Sequence, residues 1–166
     1  MQKKRRLAYR AIQAECEELG VVFEEQLTPE QIYSQISSNI DDLNLKISNN
    51  ELVMLQDGSL IDANDDGFYV QGGSTFDRTY WWGRSRYKST YNATRWVGQL
   101  NQAGHNFSAV AALSGLFGFV PQSAAGVGGA WYMYTIANKV DTVNSLSSRG
   151  IKADIRWWLT YRITSQ

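Results

Sequence analysis

Histidine and cysteine are nearly absent from this chain of 166 residues, with one of each, His105 and Cys16. A Ser–His–Asp or Cys–His arrangement needs a histidine base. The sole candidate lies in "QAGHNFS", between two apolar segments, where helix capping or solvent exposure is its ordinary role. Cys16 sits in "AECEELG", where neighbouring negative charge opposes thiolate formation, and a single cysteine excludes an intramolecular disulfide. No Walker, Rossmann or zinc-type spacing occurs: "GVGGA" lacks the lysine and the preceding strand that phosphate cradles require. The expectation is a non-enzymatic protein with no cofactor and no strong metal site.

Charge is missing from one long region and unevenly spread over the rest. Between 96 and 138 there is no Asp, Glu, Lys or Arg. Residues 1–77 carry six Lys and Arg against fourteen Asp and Glu, a net −8, and residues 78–166 carry ten against two, a net +8. An asymmetry of this kind concerns interactions more than fold. Either the two halves neutralise each other by packing together, or the basic half meets an acidic partner.

Long apolar runs are also missing. The first uncharged segment, 107–120, would make a helix of about 21 Å, short of the ~30 Å of a bilayer core. The second, 122–140, is interrupted by Gln122, Ser123, Thr135 and Asn138. A helical hairpin over 106–140 therefore reads as core of the fold, or as an element buried in one state and released into a bilayer in another. In the latter case Phe107, Leu113, Leu116, Phe117, Phe119, Trp131 and Tyr132 would insert.

With 43% hydrophobic residues the chain suffices for one domain over 1–166, divided by charge into an acidic subregion 1–77 and a basic subregion 78–166. Spacing predicts a helix over 2–19. Thr28 as N-cap, Pro29 at the first helical position and Gln31 in capping-box position start a second, with Ile32, Ile36, Ile40 and Leu43 as its apolar stripe. "ELVMLQDGSLI" and "GFYVQGG" read as short strands joined by Asp-Gly turns. A short helix is expected over 92–104. The fold class is α+β: N-terminal helices, the hairpin, and an antiparallel sheet with strands near 78–89 and 150–164.

Residues 151–164 alternate without a break, with Ile151, Ala153, Ile155, Trp157, Leu159, Tyr161 and Ile163 on one parity. That pattern predicts one half-buried strand, on which Trp158 falls on the polar side between Arg156 and the later Arg162. If this strand pairs with "RTYWWGRSRYKST", one polar face collects Trp82, Arg84, Arg86, Lys88, Arg156, Trp158 and Arg162. Such a face is either a self-contained cross-strand ladder or a surface for anionic lipid headgroups, where Trp and cations both favour the interface. In "DANDDGFYVQGG", Asp62, Asn64, Asp66 and Gly67 match the first half of a calcium loop, but its twelfth position is Gly73. A weak calcium site and an Asx-rich turn both fit these residues.

"YWWGRSRY", "YNATRWVGQL", the Gly/Ala-rich hairpin broken by Pro121 and the ending "SRGIKADIRWWLTYRITSQ" together resemble a largely uncharacterised group of small secreted proteins of Gram-positive bacteria, some of them bacteriocin-like. The resemblance covers roughly residues 67–166. It implies secretion after removal of a signal segment, of which this chain shows no sign; a cytoplasmic location is the alternative. It implies no functional residues. The resulting expectation is a secreted, membrane-active antimicrobial or toxin acting on anionic lipids or another bacterial envelope component, with nucleic acid a less suitable partner. The alternative is a soluble module binding a protein, glycan or nucleic acid through the same face.

Overall fold

The computed structural model describes residues 2–18, 28–64, 68–70, 72–105 and 129–166. Its elements are α1 (Gln2–Glu18), α2 (Pro29–Ser48), β1 (Leu52–Met54), β2 (Leu60–Asp62), β3 (Phe68–Val70), β4 (Gly73–Tyr80), β5 (Gly83–Lys88), α3 (Thr90–His105), α4 (Gly129–Ser145), β6 (Ile151–Arg156) and β7 (Tyr161–Ser165). The class is α+β. Six strands run antiparallel in the order β1-β2-β4-β5-β6-β7, and β3 pairs with the first residues of β4.

The start of α2 follows its local chemistry. The Thr28 hydroxyl accepts from the Gln31 N–H at 3.2 Å, and the Gln31 side chain accepts from the Thr28 N–H at 2.8 Å. This reciprocal box satisfies two amides that the helix itself cannot. The buried side of α2 is Ile32, Gln35, Asn39 and Leu43, whereas Ile40 is exposed. Two polar residues replace the expected apolar ones because they bridge elements: Gln35 donates to Asn39, and Asn39 donates to the Trp81 carbonyl at 3.3 Å.

Both strands expected in the basic half are hairpins instead. Residues 78–89 belong to β4 and β5, joined at Trp81–Trp82, with Tyr80 opposite Gly83. Residues 150–164 belong to β6 and β7, with Ile151 opposite Ser165 and Ile155 opposite Tyr161. In β6–β7 every residue faces a partner of its own parity, so the apolar alternation survives the turn unchanged.

Helices α3 and α4 cover one face of the sheet, called here the helix face. Ala93, Trp96 and Leu100 of α3 and Tyr132, Met133, Ile136, Ala137 and Val140 of α4 pack on Ile151, Ala153, Ile155, Leu159 and Ile163. The C-terminal part of the expected hairpin is thus the centre of the core. Its helix runs to Ser145, beyond the expected end at 140, and residues 106–128 lie outside the described residues.

A second buried cluster closes one end of the sheet, where the two Trp-Trp turns lie side by side. Ile12 of α1 and Ile32 of α2 pack there with Trp157 and Trp158, flanked by Tyr9, Ile36 and Trp82. Trp157 therefore belongs to this end cluster and not to the group of Ile155 and Leu159. The boundary between acidic and basic subregions is no structural boundary, since β4 crosses it at Asp77–Arg78.

Candidate functional site

In an antiparallel pair, directly opposite residues share a face. Arg84, Arg86 and Lys88 lie opposite Ile155, Ala153 and Ile151, so these three cations point to the helix face. Arg156, on the other parity of β6, lies opposite Gly83 on the side away from α3 and α4, called here the open face, which it shares with Arg162, opposite Asp154. The single basic face expected over 82–88 and 156–162 does not form. Neither parity of β5 is apolar, with Arg84, Arg86 and Lys88 against Ser85 and Tyr87, so the register decides which side each takes.

On the open face the rings of Phe76 and Tyr87 stack 4.2 Å apart, and those of Tyr80 and Trp82 stack 4.7 Å apart. Cations cap the first column at both ends and the second at one: Arg78 lies 5.2 Å from the Phe76 centroid, Lys152 5.7 Å from Tyr87, and Arg156 5.4 Å from Trp82. In the first column both outer ring faces are taken, which leaves little for a stacking ligand such as a nucleobase. Ser85 donates to Asp154, which also pairs with Lys152 at 3.2 Å. Burial opposes the charge on Lys152, but Asp154 together with Tyr87 and Tyr80 outweighs it and raises the lysine above its ordinary value.

Trp158 does not stand on this surface. It is 4% exposed, and its indole N–H donates to Glu15 of α1 at 3.2 Å. The same carboxylate pairs with Arg156 at 2.9 Å. One glutamate of α1 thus meets both a basic residue and a tryptophan of the β6–β7 hairpin, and the tryptophan is structural.

Of the residues expected to insert into a membrane, Tyr132 is buried in the core and Trp131 is exposed. Phe107, Leu113, Leu116, Phe117 and Phe119 lie outside the described residues. Among the described residues no helix is long and apolar enough to cross a membrane. For the calcium reading, Asp66 is outside the described residues. Asp62 accepts from the Asn64 N–H at 2.9 Å, which is an Asx turn. His105 meets the Tyr134 ring edge-on at 5.5 Å.

The helix face also holds a feature that the sequence reading missed. Beyond the area covered by α3 and α4, Arg84, Arg86 and Lys88 surround Asp77 at 3.9, 3.7 and 3.3 Å. Only the lysine contact is a hydrogen bond. Arg86 reaches over Trp96 at 5.5 Å. Burial pulls its guanidinium below the ordinary value, Asp77 opposes that, and neighbouring Arg84 adds to the lowering. An open recess of about 430 Å³ adjoins this cluster, lined in part by Asp62, Asn64, Asp77, Thr79, Arg84 and Lys88. The signal available in the sequence was the alternation of Arg84, Arg86 and Lys88 with Asp77 nine residues before Arg86, but only a hairpin at 81–82 brings them together.

No family model, curated protein or solved structure matches the chain.

Proposed function

We propose that this protein is a secreted, non-enzymatic, bacteriocin-like protein that docks on anionic headgroups of a bacterial membrane with the open face of its sheet. The observation that carries this reading is the set of four cations on that face, Arg78, Lys152, Arg156 and Arg162, three of them lying over the rings of Phe76, Tyr87 and Trp82. Docking replaces insertion for the described part of the hairpin. Releasing α4 would take Ile136, Ala137 and Val140, all 0% exposed, out of the core.

Each cation near an anionic surface contributes ~1 kcal/mol. Four give at most roughly 4 kcal/mol, a dissociation constant near 1 mM, reduced further by Glu15 and Asp154. Binding is thus weak, reversible and sensitive to salt. In co-sedimentation at low ionic strength, phosphatidylglycerol vesicles retain the protein and phosphatidylcholine vesicles do not. The combined variant Arg78→Gln, Lys152→Gln, Arg162→Gln loses this retention while remaining folded. Equal retention by both lipids, or none by the anionic one, overturns the proposal; release of trapped dye replaces docking with insertion.

A further inference from the structure

The recess beside Asp77 lies on the opposite side of the sheet from the docking face and asks for a different ligand. Arg84 has hydrogen-bonding capacity that its neighbours among the described residues do not fill. Its side chain is 22% exposed, its Nε is buried without a hydrogen-bond partner among the described residues, and its one recorded polar contact is the 3.9 Å approach to Asp77. A guanidinium has five N–H donors in a planar fork that matches an oxyanion. Nε itself is closed off, so the terminal nitrogens, of which Nη1 stands 3.9 Å from Asp77, are the donors a ligand in the recess can meet. Lys88, which already gives one hydrogen bond to Asp77, lines the same recess as a second positive charge.

The rim adds selectivity. Thr75, though at the recess, has its hydroxyl engaged with Ser89 and Asn92. Among the described residues, the groups left to a ligand are the Asn64 amide, the Thr79 hydroxyl and the second oxygen of Asp62, whose first oxygen serves the turn. A carboxylate accepts and never donates, so Asp62 repels a bare anion and rewards a hydroxyl. The volume lies in the range of small-molecule sites.

We propose that this recess binds a phosphate or carboxylate group carried on a hydroxylated unit, such as a sugar or a polyol. Arg84 and Lys88 hold the oxyanion, and Asp62 and Asn64 take the hydroxyls. Free metabolites and the units of an envelope polymer both present this chemistry, and the choice of probe separates them.

The test follows ¹H–¹⁵N spectra of the full chain, including the Arg84 Nε–H signal, during titration with inorganic phosphate, glycerol 3-phosphate, glucuronate and a poly(glycerol phosphate) chain. Glycerol 3-phosphate or glucuronate is expected to move Arg84 Nε–H and the amides of Asp62, Asn64 and Thr79 at lower concentration than inorganic phosphate does. Saturation by the monomers assigns a free metabolite, and saturation by the polymer alone assigns an envelope chain. Arg84→Met, which keeps the aliphatic stem, weakens binding about tenfold or more, as loss of a charge-assisted pair requires. The proposal is overturned if no probe moves Arg84 Nε–H at concentrations on the order of 10 mM, a free energy below about 3 kcal/mol. It is also overturned if a folded Arg84→Met binds as the parent does. These results are independent of vesicle binding, because the cations of the open face are unchanged in Arg84→Met.

Discussion

Gln166 ties three strands together at the end of the sheet away from the Trp turns, and replacing it tests the assigned register directly. Its amide nitrogen donates to the carbonyls of Ser74 at 2.8 Å, Lys88 at 3.0 Å and Ile151 at 3.1 Å, and its oxygen accepts from the Ser74 N–H at 3.0 Å. Three carbonyls on one side and one N–H on the other fix which amide atom is nitrogen. Two N–H groups serve three acceptors, so the side chain counts as about three hydrogen bonds, each with a net worth of ~0.5–1.5 kcal/mol. The site is half-buried, and freed carbonyls regain part of their hydration, which puts Gln166→Ala near the lower end, about 2 kcal/mol. For a chain of this size that lowers Tm by about 4–8 °C. Gln166→Glu has nearly the same shape but only accepts. It sets a negative charge against three carbonyl oxygens and is expected to cost more than alanine, about 3 kcal/mol. Urea denaturation followed by circular dichroism gives both values. A glutamate variant as stable as the parent, or an alanine variant within about 0.5 kcal/mol of it, refutes the latch and the register built on it.

Asp77→Asn removes the carboxylate that three cations share; the groups are partly exposed, at 13–31%, and the loss is about 1–2 kcal/mol, read as a lower Tm that narrows with added salt, while glycerol 3-phosphate binds more tightly to the recess. Tyr132 is held well above the ordinary tyrosine value by burial, with Tyr161 adding to the rise and Arg156 opposing it, and burial also raises Tyr161 and Tyr80. A folded-state value above the unfolded one of about 10 means stability intact below that pH and lost as pH rises through the folded value; Lys152, also raised, acts in the same direction. Stability measured against pH is therefore expected to fall above about pH 10, and Tyr132→Phe makes that fall shallower; an alkaline limb identical in parent and variant contradicts this assignment.

How much of the fold the sequence discloses depends on whether an element's cause is local. The α2 start is a matter of Thr28, Pro29 and Gln31 alone, and it is where their spacing puts it. The apolar parity of 151–163 marks the core side correctly for Ile151, Ala153, Ile155, Leu159 and Ile163. The site is a different matter. Arg84, Arg86 and Lys88 gain their meaning from Asp77 across a turn and from Ala153 across a strand pair, and neither relation is written in composition or period. Buried Gln35 and Asn39 are similar cases, since their reason is a carbonyl at Trp81 on another element.

Two turns with one hydrogen-bond pattern show most clearly why some of the chain was legible and some was not. In the first, the Leu55 N–H donates to the Ser59 carbonyl at 2.8 Å and the Gly58 N–H to the Leu55 carbonyl at 3.0 Å. In the second, the Arg156 N–H donates to the Thr160 carbonyl at 2.9 Å and the Leu159 N–H to the Arg156 carbonyl at 3.0 Å. Both are three-residue hairpin loops whose last residue has positive φ, 78° at Gly58 and 68° at Leu159. Glycine takes that conformation freely and so announces the first turn; leucine pays ~1–2 kcal/mol for it and conceals the second. Leu159 is 2% exposed within the main core, and burying it returns ~1.5–3 kcal/mol, enough to offset the strain. The exchange has a structural consequence. With leucine anchoring the loop in the main core, Trp157 and Trp158 are carried to the end of the sheet, where α1 and α2 cover them and Glu15 meets both Trp158 and Arg156. The strained leucine, and not a free polar edge, is what couples the N-terminal helices to the C-terminal hairpin.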